Sequence, residues 1–291
     1  MHINMKYYIV TIGAIFIALG IGILVGFNLN YDQELSKQQS QVIKDLDKKF
    51  VSLKETNDKL EKDLSSLGKD YNQAIEFINQ NIDKIIIDEL LNKNIGIIST
   101  NENSDYTSEI KDIITKANGK VAFEIVLKDS INDKNKLQEI SEKLNTDIKD
   151  GEDAINYILE SLKVEGASDK LTYLQEIGII KLNSLENDYL SYDSVVVAGE
   201  SEHKDIEEEF KNIDKVLIQK LKEENKSIVG VQKSDTKYSY IDLYKNNKVS
   251  TIDNIDEGVG KLSLVLTLKE GNFLGSFGRL ESADSLLPYK K

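Results

Sequence analysis

The chain has 291 residues, enough for one ordinary domain with an appendage or for two small domains. With 40% hydrophobic and 30% charged residues, it reads as a folding chain and not a disordered one. Its net charge of −13, with Arg279 as the one arginine, argues against a nucleic-acid binder that must neutralise phosphates. The absence of cysteine removes disulfides, thiolate metal sites, thiol catalysis and lipoprotein acylation.

From Tyr7 to Phe27 the sequence runs without a charge, YYIVTIGAIFIALGIGILVGF. As a helix this stretch covers roughly 31 Å, the hydrocarbon thickness of a bilayer. No small-residue cleavage pattern occurs over residues 27–30, so an uncleaved signal anchor is expected over 7–27. Lys6 and the N-terminal amine precede the span, and Tyr31, Asp32 and Glu34 follow it with no cation before Lys37. The positive-inside bias then predicts a cytoplasmic tail, 1–6, in a single-pass cell-membrane protein whose C-terminal part lies outside the cytoplasm. Ala14, Ala18, Gly22 and Gly26 recur every fourth residue, a spacing that lets two membrane helices approach closely.

Beyond the anchor the apolar period becomes seven. Leu46, Leu53, Leu60 and Leu67 share one heptad position, and Ile43, Phe50, Asn57, Leu64, Tyr71 and Ile78 share the other. A coiled-coil stalk is expected over 31–91, and leucine at d with the lone polar Asn57 at a favours a parallel homodimer. Gly68 is a weak point, costing about 1 kcal/mol relative to alanine.

From Asn94 onward, apolar runs alternate with amphipathic stretches. Strands are predicted at Ile95–Ser99, Val121–Leu127, Ser194–Ala198, Ser227–Gln232 and Val249–Ile252. Helices are predicted at Asp105–Ala117, Lys134–Asn145, Glu152–Leu162, Asp214–Glu224 and Tyr238–Asn246, with Gly258–Leu268 closing the order. This pattern gives an α/β, Rossmann-like domain over 92–291, a mostly parallel sheet with helices on both faces. Such sheets bind ligands outside their C-terminal strand ends, here Ser99–Asn101, Gly199–Ser201, Gln232–Ser234 and Asp253–Asp256.

Two stretches carry a family resemblance. KYYIVTIGAIFIALGIGILVG (Lys6–Gly26) and VSTIDNIDEGVGKLSLVLTL (Val249–Leu268) resemble blocks of the bacterial copper-transport protein B (MctB-like) family. LLNKNIGIIST (Leu90–Thr100), the Gly275–Gly278 loop and SLLP (Ser285–Pro288) agree with it. The resemblance implies an envelope protein with a role in copper ion transport or homeostasis, working beside another membrane protein. The alternative is a non-catalytic dimeric scaffold of the envelope or division machinery. Ser250, Asp253, Asn254, Asp256, Gly258 and Gly260, inside the second block, are candidates for a partner surface.

The residues give copper little to hold. Soft ligands are Met1, His2, Met5 and His203, so a copper ion is implied by the resemblance alone. An N-terminal chelate through Met1 and His2, or a weak metal site of His203 with Glu200 and Glu207, are the candidates. The Gly258–Gly260 turn is half a dinucleotide fingerprint but follows the last predicted strand, so it reads as a tight helix entry. Asn254 and Asp256 are expected to cap that helix. No G-x-S-x-G or H-E-x-x-H motif occurs, and a non-enzyme is expected.

Overall fold

The computed structural model describes residues 5–271 and 273–289, with the backbone alone over 29–34. One helix, α1 (Met5–Ile85), runs unbroken from the apolar segment through the heptad region and across Gly68. By internal contacts the chain forms two compact units, Met1–Asn72 and Gln73–Lys291.

The described part of the first unit is helix throughout. Met5–Asn28 is long and apolar enough to cross a membrane, and none of it is buried. Ala14, Ala18, Gly22 and Gly26 all stand exposed along it. Leu46, Phe50, Leu53, Leu60, Leu64 and Leu67 are 60–71% exposed, with Asn57 exposed among them. The single chain therefore leaves the seam uncovered from Leu46 to Leu67.

The second unit takes in the last turns of α1, which the heptad reading counts with the stalk. There the apolar spacing changes to four, and Ile78, Ile82 and Ile86 pack into a core. Chain order continues through β1 (Asn94–Ser99), α2 (Thr107–Lys116), β2 (Lys120–Leu127), α3 (Lys134–Leu144), α4 (Gly151–Ser161), α5 (Ala167–Ile177) and β3 (Ile180–Leu185). It then runs through β4 (Ser194–Ala198), β5 (Glu200–Ser201), α6 (Ile206–Asn212), α7 (Asp214–Glu223), β6 (Ser227–Val231) and β7 (Tyr238–Ser239). The end consists of α8 (Ile241–Asn246), β8 (Ser250–Ile252), α9 (Gly258–Glu270) and β9 (Ser276–Phe277).

Seven strands form one sheet in the order β3-β2-β1-β4-β6-β8-β9, parallel except for β3, which runs antiparallel to β2 at the edge. Strand side chains alternate between two cores. Val195 and Val197 join Phe123, Leu159, Leu174 and Leu217 on one face, and Val196 joins Ile97, Ile110, Ile114 and Leu264 on the other. This double coverage is why the strands read as continuous apolar runs.

All five predicted strands and six predicted helices are present, with corrections. Tyr238–Asn246 is helix only from Ile241, because Tyr238 and Ser239 pair with Glu200 and Ser201 in a separate two-stranded ribbon. The helix at Gly258 does not close the order: β9 follows and pairs with β8. Strand β3 and helices α5 and α6 are additional to the sequence reading.

Candidate functional site

The C-terminal strand ends divide into a closed half and an open half. In the closed half, Asp253 accepts hydrogen bonds from the backbone N–H groups of Arg279 (2.8 Å) and Leu280 (2.7 Å). Asp256 accepts from the Ser234 amide (2.7 Å) and hydroxyl (2.6 Å). Burial pushes the Asp256 carboxyl up, but these bonds outweigh it and hold it below the ordinary carboxylate value. Arg279 grips Glu257 through Nε and Nη2. Gly260 lies against the Asn254 carbonyl, and a Cβ on Gly258 would stand 2.7 Å from the Asn79 Cα.

Five of the six proposed partner-surface residues, Ser250, Asp253, Asn254, Gly258 and Gly260, are consequently buried, and only Asp256 is exposed. The block is a packed knot and not an accessible surface, because its carboxylates and glycines serve loop closure and close backbone approach. Asn254 and Asp256 do not cap α9 either. The α9 cap residue is Glu257, and Asn254 Nδ2 donates to the Glu257 carboxylate at 3.3 Å. With Gly258 and Gly260 occupied by neighbouring backbone, the turn offers no phosphate cradle.

The open half lies between the ends of β1 and β4, where the strand order reverses. Thr100 and Asn101 follow β1, Glu200 follows Gly199 after β4, and Asp214 opens α7 beside them. With Asp129, His203, Glu209 and Tyr240, they line a cleft of about 230 Å³. Glu200 accepts from the Thr236 hydroxyl, which ties the small ribbon to the next loop. Glu209 Oε2 accepts from Ser201 (2.5 Å) and Tyr240 (3.2 Å).

Asp214 is the buried member, 2% exposed. Its Oδ1 accepts from Tyr244 (2.5 Å) and Thr100 (2.9 Å). Burial pushes its carboxyl up to about 7, with Glu209 adding to the rise and the Tyr244 and Thr100 bonds opposing it. Burial followed by the Glu102 and Glu209 charges raises Asp129, against the opposing pull of His203. The Tyr240 and Tyr244 hydroxyls are raised by burial and by Asp214, so both remain neutral donors.

Of the sequence-proposed metal set, His203 and Glu200 line this cleft, whereas Glu207 points elsewhere on α6 and is exposed. Among the described residues, no three His, Asp or Glu side chains gather as a metal-holding group. The proposed chelate of Met1 and His2 lies outside the described residues. Sequence reasoning missed Asp214 and Tyr244 as site residues. Asp214 appeared only as the first residue of an amphipathic helix, and nothing local signals that its carboxylate is buried.

The sequence profile of the family described as Copper transport outer membrane protein, MctB, matches residues 2–288. Neither the curated proteins nor the solved structures give a significant match to this chain. A match over nearly the full length, which takes in the apolar helix and the sheet's final strands alike, settles the kinship: the chain belongs to the MctB copper-transport family.

Proposed function

We propose that this chain is a single-pass, membrane-anchored envelope protein that serves copper homeostasis as a non-catalytic dimeric scaffold for another membrane protein. The role in copper comes to it through its family. The observation that carries the scaffold reading is the uncovered heptad seam, six large apolar side chains 60–71% exposed along one helix. A monomer would leave that stripe in water, and a second copy covers it. Anchoring through Met5–Asn28 with a cytoplasmic N-terminus orients both copies alike, as a parallel pair requires.

The donor set speaks against the chain carrying copper by itself. Cu(I) selects thiolate and thioether ligands, and both methionines lie within the first five residues. Two measurements test the proposal. Because the native chain has no cysteine, Leu53→Cys gives one unambiguous cross-linking position. Oxidation of membranes carrying it is expected to yield a disulfide-linked dimer, while Lys54→Cys yields far less. Equal yields at both positions would refute the seam. Titration of the full chain in detergent with Cu(I) and Cu(II), against a chelator of known affinity, is expected to show no saturable tight binding. Sub-micromolar binding lost in His203→Ala would replace the scaffold with a copper carrier.

A further inference from the structure

We propose that the cleft at the N-terminal ends of β6 and β8 binds a phosphate group through Lys222, Lys226 and Lys248. The inference stands apart from the copper role and from dimerisation.

Three observations converge. The first is the sign of the cleft. In a chain of net charge −13, the clefts at the β1/β4 reversal, beside the β5–β7 ribbon and at the start of α5 all carry carboxylates. A cleft of about 240 Å³ between the end of α7 and the starts of β6 and β8 is the reverse: among the described residues, its charged lining is Lys222, Lys226 and Lys248.

The second is how the ammonium groups sit. Lys222 Nζ donates to the Asn247 carbonyl. Lys226 Nζ donates to the Tyr192 carbonyl at 2.5 Å and stands 3.8 Å from the centre of the Tyr192 ring. These neutral groups fix two cations in place without discharging them, and each ammonium keeps N–H donors to spare. Burial first, and the Lys248 ammonium second, hold Lys222 below the usual lysine value. Burial lowers Lys226 too, with Lys163 adding to the fall and Glu224 and Asp193 opposing it. By contrast, Lys116, Lys149, Lys163 and Lys269 are all raised, each bonded to a carboxylate. Lys222 and Lys226 are thus crowded cations, and not merely lysines that lack a partner.

The third is the rest of the lining. Lys248 has φ of 53°, and every other non-glycine residue at positive φ among the described ones is Asn or Asp, whose short polar side chains suit that backbone. A lysine is therefore kept beside Lys222 at a position that disfavours it. The Ser227 hydroxyl and the Leu274 N–H, on two residues lining the cleft, have no hydrogen-bond partner among the described residues.

The chemistry of the ligand follows. Planar, bidentate recognition of a carboxylate calls for arginine, and Arg279 is engaged with Glu257. Lysines bind phosphate as point charges, and a tetrahedral dianion can take N–H and O–H donors from several sides. A volume of about 240 Å³ holds several waters' worth of space, enough for a phosphate or diphosphate. The group can come as a free ion or as the phosphate ester of a lipid headgroup.

The test uses the full chain in detergent micelles, with inorganic phosphate, pyrophosphate and glycerol 3-phosphate as probes in isothermal titration. At least one is expected to bind saturably. Tighter binding of glycerol 3-phosphate would assign the group to a headgroup, and tighter binding of either inorganic probe to a free ion. Lys222→Gln and Lys248→Asn are each expected to weaken binding tenfold or more. Lys248→Asn is the sharper variant: asparagine suits that backbone, so the fold should be kept or stabilised in thermal unfolding while binding falls. It carries the test alone if Lys222→Gln fails to fold by near-UV circular dichroism. Lys204→Gln, an exposed lysine beyond β5, should leave binding unchanged. Absence of saturable binding by all three probes would overturn the proposal, as would binding indifferent to Lys248→Asn. Equal weakening by Lys204→Gln would reduce the effect to net charge, and equal binding of glutarate would remove the preference for phosphate; either result overturns it.

Discussion

Gly258→Ala isolates the contact between the start of α9 and the last turns of α1. An alanine Cβ would stand 2.5 Å from Asn79 Oδ1, 2.7 Å from its Cα and 3.2 Å from its N. The amide oxygen can swing away, but the Cα belongs to a helix whose neighbours Ile78 and Ile82 are packed in the core. Moving 2.7 Å out to an ordinary contact near 3.4 Å requires a shift of about 0.7 Å between two helices. Overpacking of this kind costs about 2–3 kcal/mol. For a unit of this size that is a fall in Tm of roughly 5–10 °C. The assay is thermal unfolding of the full chain in detergent, followed by the near-UV signal of the buried Tyr106, Tyr192, Tyr240 and Tyr244. Adding Asn79→Ala should not restore the midpoint, because the obstructing atom is backbone. Gly68→Ala is the control, since nothing lies within 4 Å of its Cβ position. An unchanged midpoint for Gly258→Ala, or full rescue by Asn79→Ala, would refute the close-approach account.

Asp214 gives a pH-dependent prediction. The folded carboxyl keeps its proton up to about 7, while the unfolded one releases it near 3.8, so the native state binds more protons in between. Stability should therefore fall as pH rises through that window and level off above it. Relative to Asp214→Asn, urea unfolding should show the wild type losing about 2 kcal/mol between about pH 5.5 and 8, and parallel curves would refute the assignment. Glu124 is buried in β2, accepting from Thr107 (2.7 Å) and Asn183 (3.0 Å) and pairing with Lys111 at 3.5 Å. Glu124→Ala should cost about 3 kcal/mol in denaturant titrations by stranding those donors. Lys111→Ala should cost less, about 1 kcal/mol, because the Lys111 side chain is 38% exposed and Thr107 and Asn183 still bond the carboxylate. Asn57→Leu should convert a defined dimer into a mixture of oligomers by light scattering, because a polar a position specifies two strands. An unchanged dimer would remove Asn57 from that role.

How far the fold was legible depended on where each element draws its stability. Ser194–Ala198 is recovered to the residue because a strand buried on both faces must be continuously apolar. Strand β3 was invisible for the converse reason. At an antiparallel edge the run IKLNSL (Ile180–Leu185) mixes exposed Lys181 and Asn183 with half-buried Leu182, Ser184 and Leu185, and so reads as loop. Strand β9 has two residues, Ser276 and Phe277, and exists only through its pairing with β8. Helix α5 carried a usable signal in Gly166 and Gly178, both at positive φ at its ends. The site was half legible. Strand-end logic pointed to Thr100, Asn101 and Glu200, which line the cleft, but it weighted Asp253–Asp256 equally, and only the fold shows that those carboxylates are spent on the Arg279, Leu280 and Ser234 backbone amides.

The two halves of that edge show how one sheet keeps a closed loop and an open cleft apart. At β8, glycines let α9 and α1 press against the turn, and every carboxylate finds an N–H or an arginine. At β1 and β4 the bulk comes from tyrosines instead: Tyr240 and Tyr244 pack edge-on against Phe210 and present neutral hydroxyls to Glu209 and Asp214. Hydroxyls bring no charge, so burial of Asp214 is met by retention of its proton up to about 7 and not by a cation. The two halves of the edge thus compensate buried carboxylates differently, by backbone N–H groups at β8 and by proton retention at Asp214 beside β4.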